Sequence, residues 1–166
     1  MFRVRAEFRD DLEIGAGVQR VRAFFADVQN FARLMPGVES ISESRGGFAR
    51  WVVNVEVALI GSMRGEFEMT RTDDSPFRIE WVPAEGQAEN LLRYAIGLAE
   101  ESPSKTRVRF ALRVELRRGR AKDLHLMAGF VGERRVSEGV QEDVDLMMKT
   151  FLKRARAELE ARVSGT

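Results

Sequence analysis

The first residues alternate strictly. Phe2, Val4, Ala6 and Phe8 fall on one side and Arg3, Arg5, Glu7 and Arg9 on the other, the period of a half-buried strand. The pattern extends past Asp10-Asp11 to Leu12 and Ile14, and Gly15 and Gly17 break it. The period then changes: Val18, Val21, Phe25 and Val28 recur at helical spacing, predicting a short helix. A second helix is expected from Phe31 to Met35, capped by Asn30 and ended by Pro36-Gly37. From Val38 to Arg117 the chain reads as a meander of six strands. Its turns are expected at Gly46-Gly47, Gly61-Ser62, Asp74-Ser75-Pro76, Pro83-Ala84-Glu85-Gly86 and Ser102-Pro103-Ser104.

Within that meander one face is apolar and the other polar. Trp51, Val53, Val55, Val57 and Leu59 oppose Arg50, Asn54 and Glu56. Met63, Phe67 and Met69 oppose Arg64, Glu66 and Glu68, and Phe77, Ile79 and Trp81 oppose Arg78 and Glu80. Leu92, Tyr94, Ile96 and Leu98 oppose Arg93, and Val108, Phe110, Leu112, Val114 and Leu116 oppose Arg107, Arg109 and Arg113. Such a sheet is antiparallel and covered on one side only. Its cover is the last element, where Val140, Val144, Met147, Met148, Phe151, Ala155, Leu159 and Val163 form a helical stripe. Glu142 and Asp143 are expected near this helix's start and Arg154, Arg156 and Arg162 near its end, as the helix dipole favours. The segment from Asp123 to Val136 is a short helix or an ordered loop. The pattern therefore predicts one α+β domain over residues 1–166, with a seven-stranded curved antiparallel sheet around a long C-terminal helix. Two short helices follow its first strand.

The residues from Phe24 to Ile41, FFADVQNFARLMPGVESI, resemble a segment of the START-like, polyketide-cyclase/Bet v 1-type (SRPBCC) superfamily. The features are Phe-x-x-Asp-Val at Phe24 to Val28 and Pro36-Gly37-Val38, then an immediate strand running to a glycine turn. Ile60-Gly61-Ser62-Met63-Arg64-Gly65 is similar to that superfamily's third hairpin. Within the superfamily the chain most resembles two groups, the G subunit of carbon monoxide dehydrogenase and the coenzyme-Q-binding proteins. The resemblance implies a helix-grip fold with a cavity between sheet and final helix, often used for lipids, quinones, sterols or polyketides. Relatives of the dehydrogenase G subunit can carry a C-terminal tail thought to reach the membrane; this chain stops at Thr166, so no built-in anchor is expected.

Composition changes this picture little. A formal net charge of +1 is too balanced to imply an electrostatic partner, and with no groove-reading helix nucleic acid is not expected. No cysteine is present, so disulfides and thiolate metal sites are excluded. With no signal peptide and no run of about 20 apolar residues, a cytoplasmic protein is expected. Of the 27 cations only four are lysines, for which genomic base composition is a sufficient explanation. Arg113, Arg117, Arg118, Arg120 and Lys122 crowd one strand end and turn. They form a solvated turn or meet an anionic lipid headgroup or a phosphate, which leaves room for transient contact with a membrane or a partner enzyme.

Candidate chemistry is sparse. Gly15-Ala16-Gly17-Val18-Gln19-Arg20 begins like a dinucleotide fingerprint but has Arg in place of the third glycine, and an antiparallel meander follows it. His125 is the only histidine, with no nucleophile motif beside it and too few partners for zinc; no metal or cofactor is expected. The inward face offers as ligand-binding candidates Trp51, Val53, Val55, Phe67, Met69, Ile79, Trp81, Asn90, Leu92, Tyr94, Phe110 and Leu112. The connecting segment adds Met127, and the helix adds Met147, Met148 and Phe151. Polar groups among them are few, as in small-molecule pockets: Asn90, Tyr94 and the two indoles, which either orient a ligand or point to the rim. No acid–base pair lies on this face, which counts against proton-transfer chemistry.

An empty pocket of ~300 Å³ at about 24 cal/mol per Å³ costs roughly 7 kcal/mol, rivalling the ~5–15 kcal/mol stability of a domain. Either a ligand fills it or flexible Met and Phe side chains collapse into it; Met63, Met69, Met127, Met147 and Met148 allow both. The expected function is binding or carrying an apolar small molecule. The alternatives are a polyketide cyclase or aromatase-like enzyme, and an assembly or chaperone-like protein with no ligand.

Overall fold

A computed structural model describes residues 1–164, with side chains as far as Ala161. Seven strands form one antiparallel sheet in the order β1-β7-β6-β5-β4-β3-β2. They are β1 (Phe2–Ile14), β2 (Val38–Ser44), β3 (Phe48–Val57), β4 (Gly61–Ser75), β5 (Arg78–Pro83), β6 (Asn90–Ser102) and β7 (Lys105–Arg118). Between β1 and β2 lie α1 (Val18–Ala26) and α2 (Val28–Leu34). After β7 come the short α3 (Ala121–Leu124) and α4 (Ala128–Val131), then α5 (Glu133–Ser164). The expected α+β helix-grip architecture is the one observed: α5 lies across the concave apolar face of the sheet, and α1 and α2 close one end.

Several local expectations need correction. Asp27, not Asn30, caps α2: its carboxylate accepts the Gln29 N–H at 3.0 Å. The Asn30 amide instead donates to the Phe24 carbonyl at 2.8 Å, tying α2 back to α1. Helix α5 begins at Glu133, ahead of the expected stripe, so Glu142 and Asp143 sit well inside it. Asp143 there accepts the Glu56 backbone N–H of β3 at 3.0 Å. Burial raises its carboxyl above the usual range, only partly opposed by that hydrogen bond. Leu59 leaves the strand face, lying in the β3–β4 turn at a φ of 71°, and Phe77 lies in the β4–β5 turn and is exposed. Arg162 and Val163, expected at the end of α5, lie outside the described side chains.

Edge strand β1 needs partners for its outward N–H groups, and α5 supplies them. The N–H groups of Arg3, Arg5 and Glu7 donate to Glu133 Oε2, Ser137 Oγ and Gln141 Oε1 at 3.2, 3.4 and 2.8 Å. Two strand residues span about 6.6 Å and four helical residues about 6 Å, so side chains four apart keep step with alternate backbone groups. Gln141 also donates to the Glu7 carbonyl at 2.6 Å, and Glu160 accepts the Gly15 N–H at 2.9 Å. These bonds fix how closely α5 approaches the sheet and therefore the space left between them. On the other side Gly139 crosses β3 so closely that a Cβ there would lie 2.7 Å from Val57 Cγ1.

Candidate functional site

The space between sheet and helix is divided in two. Toward the C-terminal half of α5 it is filled by rings. Phe31 of α2 stacks on Phe151 of α5 with centroids 4.5 Å apart. Phe25, Trp51, Tyr94 and Phe110 surround this pair at 5.3–6.4 Å. Tyr94 lies flat against Phe110, 5.8 Å away with 10° between planes. Phe31 reaches this position because Asp27 restarts the chain as α2 and points it inward beneath the sheet.

Toward the N-terminal half of α5 an open cavity of about 60 Å³ remains. Met35 and Val38 close it from the α2–β2 connection, and Trp51, Val53 and Val55 come from β3. Phe67 of β4, Leu92 of β6 and Leu112, Val114 and Leu116 of β7 add the sheet wall, and Val140, Val144, Met147 and Met148 of α5 the roof. Every lining side chain is apolar. Gly37 sets the corner beneath Met147: with φ of 87° and a Cβ position only 2.6 Å from the Asn54 carbonyl, no larger residue fits. Its own carbonyl accepts the Asn54 N–H at 2.7 Å.

Eight of the residues expected to meet a ligand line this cavity: Trp51, Val53, Val55, Phe67, Leu92, Leu112, Met147 and Met148. Tyr94, Phe110 and Phe151 belong to the aromatic plug instead. Met69, Ile79 and Trp81 are buried farther along the sheet, with the Arg71 guanidinium 5.7 Å from the Trp81 ring centroid. Met127 is exposed at the surface. Six lining residues lie outside the sequence expectation: Met35, Val38, Val114, Leu116, Val140 and Val144. Met35-Pro36-Gly37-Val38 reads as a helix stop, and its place beside a glycine corner is the one signal that it also builds a wall.

Asn90 sits at the rim. Strand β5 ends at Pro83, so the first half of β4 has no β5 partner, and Asn90 spans the gap by donating to the Glu66 carbonyl at 3.0 Å. A groove of about 170 Å³ opens there, bounded by Ser62, Met63, Arg64, Gly65, Asn90, Arg118, Leu124 and His125. It shares Val55, Phe67 and Leu116 with the cavity. The groove thus adjoins the cavity across these three side chains, and polar groups gather there. Arg118 donates to Asn90 Oδ1 at 2.8 Å, and His125 Nδ1 accepts the Met127 N–H at 3.1 Å.

Two polar atoms inside are buried without a partner, Trp51 Nε1 and the Tyr94 hydroxyl. Burial above all, and then the Glu43 carboxylate, raise the Tyr94 hydroxyl above the ordinary phenol value, with Arg71 acting in the opposite direction. Among the described residues, no group of three or more acidic or histidine side chains is placed to hold a metal ion.

The family model for the G subunit of carbon monoxide dehydrogenase (CoxG) matches residues 11–149. The chain belongs to the CoxG family. The match runs from the middle of β1 into α5 and takes in the whole cavity wall. No curated protein matches the chain. Among solved structures, the Zhui aromatase/cyclase of Streptomyces sp. R1128 has a TM-score of 0.71 at 19% identity, over 96% of each chain. A START superfamily protein of Mycobacterium smegmatis has a TM-score of 0.60 at 14% identity, over 93% of this chain and 97% of its own. A Thermus thermophilus protein has a TM-score of 0.59 at 23% identity, over 92% of this chain and 98% of its own. At these identities the likeness is one of fold: this CoxG-family chain has the START-like, polyketide-cyclase-type fold.

Proposed function

We propose that this CoxG-family chain binds and carries an apolar small molecule (a lipid, a quinone or a polyketide-like compound) in the cavity beneath the N-terminal half of α5. One observation carries the reading: an open space with entirely apolar walls persists between sheet and helix, beside a surface groove that shares three of its lining residues. A void of about 60 Å³ costs only about 1.5 kcal/mol at about 24 cal/mol per Å³, so the protein tolerates it without cargo. A drug-sized ligand needs about 300 Å³ or more. The additional room comes from Met35, Met147 and Met148, whose unbranched thioethers change rotamer readily, while the plug of rings stays fixed. The cavity walls carry no titratable side chain, so no group on them performs acid–base turnover of a polyketide; this favours carriage over catalysis.

A cytoplasmic setting belongs to the same proposal and is supported by the cysteine-free sequence. No helix among the described residues is long and apolar enough to cross a membrane. Native mass spectrometry of the purified protein, followed by organic extraction, tests the reading. A mass adduct released as an apolar compound is expected. Protein that stays free of adducts after incubation with quinones and lipids would favour an interaction protein without a ligand.

A further inference from the structure

The bonding of α5 to the edge of β1 stops part-way along the strand. Arg3, Arg5 and Glu7 direct their N–H groups away from β7, and α5 meets them with Glu133, Ser137 and Gln141. The β1–β7 register runs unbroken to Ile14 opposite Thr106, so alternation turns the backbone groups of Arg9, Asp11 and Glu13 outward in the same way. The same step of four along α5 brings up Asp145, Lys149 and Lys153. Asp145 accepts the Gln141 amide at 2.8 Å instead, and a lysine has no acceptor to offer an N–H. The Asp11 N–H turns to Asp10 Oδ1 at 2.8 Å. Among the described residues the outward N–H groups of Arg9 and Glu13 have no partner, nor do the outward carbonyls of all three. Pairing resumes at Gly15, whose N–H Glu160 accepts.

A groove of about 370 Å³ lies over this open length, with Leu12 of β1 and Leu152 of α5 as its apolar walls and Lys149, Lys153 and Arg156 along it. From residue 146 to residue 157, α5 carries four cations and no acid. Arg154 donates to the Leu34 carbonyl at 2.9 Å and Arg156 to Glu160 at 3.1 Å. Lys149 and Lys153 are exposed and form no ion pair among the described residues. The acids beside the groove, Asp10 and Glu160, already accept the N–H groups of Asp11 and Gly15. An unpaired strand edge beside free cations is complementary to an extended chain that brings its own N–H and C=O groups and carries carboxylates. Leu12 is half-buried and Leu152 buried, so the walls offer no protruding apolar side chain to a bilayer.

We propose that residues 9–13 of β1 accept an extended acidic segment of a partner protein as an added strand, with its carboxylates against Lys149 and Lys153. The groove shares no lining residue with the cavity, so this docking site stands or falls independently of the carrier reading.

Fluorescence anisotropy with a labelled peptide of alternating Glu and Val tests it, beside a Lys/Val counterpart and a Glu/Val form N-methylated along its backbone. The Glu/Val peptide is expected to bind at least about tenfold more tightly than either control, since it alone offers both carboxylates and strand N–H groups. Lys149→Glu/Lys153→Glu should weaken its binding by about tenfold or more while melting like the wild type, because both side chains are exposed. Hydrogen exchange gives a second reading. The Arg9 and Glu13 amides should exchange fast in the free protein and at least about tenfold more slowly with saturating peptide. No binding of the Glu/Val peptide, equal binding of the N-methylated form, or binding unchanged by the lysine variant would overturn the proposal. Binding of phosphatidylglycerol vesicles through Lys149 and Lys153, without peptide binding, would assign the groove to lipid and overturn it too. So would a dimer in sedimentation with the Arg9 and Glu13 amides already protected, which would give this edge to a second copy of the chain.

Discussion

Phe31 and Phe151 face each other across the grip, ring centroids 4.5 Å apart and planes 22° apart, and both are fully buried. This contact joins α2 to α5 and lies outside the cavity, whose walls include neither ring. Replacing Phe151 with Asp removes the stack and buries a carboxylate with no partner. A loss of about 3–5 kcal/mol or more is expected, measured by denaturant unfolding. A midpoint close to that of the wild type would mean that α5 is not docked there.

Tyr94 tests the plug from another side. Its hydroxyl is buried without a hydrogen-bond partner, a state that costs about 1–3 kcal/mol. Tyr94→Phe keeps the ring against Phe110 and removes the orphaned group, so stability should rise by about 1 kcal/mol while cavity binding stays unchanged. From the alternation alone, Tyr94 looks like the hydroxyl best placed to orient a ligand. The structure puts the rings of Phe31 and Trp51 beside it, so it belongs to the ring cluster and does not line the cavity. Reduced stability with weakened ligand binding would restore the orienting role.

The approach of α5 to β3 gives a sign reversal to look for. Within an exposed helix, Gly→Ala stabilises by about 1 kcal/mol. At Gly139 the new methyl would lie 2.7 Å from Val57 Cγ1, and overpacking costs about 1–3 kcal/mol. Gly139→Ala should therefore destabilise the wild type and stabilise a Val57→Ala background. Stabilisation in both backgrounds, read by thermal unfolding, would show that the helix has room to move away.

The sheet is legible in the sequence because its alternation is long and uninterrupted. In β7, Val108, Phe110, Leu112, Val114 and Leu116 all face inward and are buried, as period two requires. The start of α5 is less legible: Glu133 and Ser137 look like loop polarity until their role as partners for the edge of β1 is seen. Likewise the cap of α2 falls to Asp27, because α1 ends earlier than the apolar spacing suggests. The cavity is half legible. Alternation identifies which side chains point inward, but not which part of that inward space a third element fills. Phe31, brought in from α2, occupies the part beneath Tyr94 and Phe110 and leaves the part beneath Leu112, Val114 and Leu116 open. Met127 departs from expectation for a related reason, since the two short helices on either side of it carry it to the surface.

Emission from Trp51 offers the most direct measurement of the central claim. Trp51 lines the cavity and Trp81 does not, and these are the chain's two indoles, so Trp81→Phe isolates the reporter. Titration with 1,4-naphthoquinone should quench Trp51 saturably. Adding Val144→Phe, which fills the cavity from α5, should abolish saturation and leave only weak collisional quenching. Quenching that never saturates in the Trp81→Phe protein, or saturable quenching unaffected by Val144→Phe, would contradict binding in this cavity.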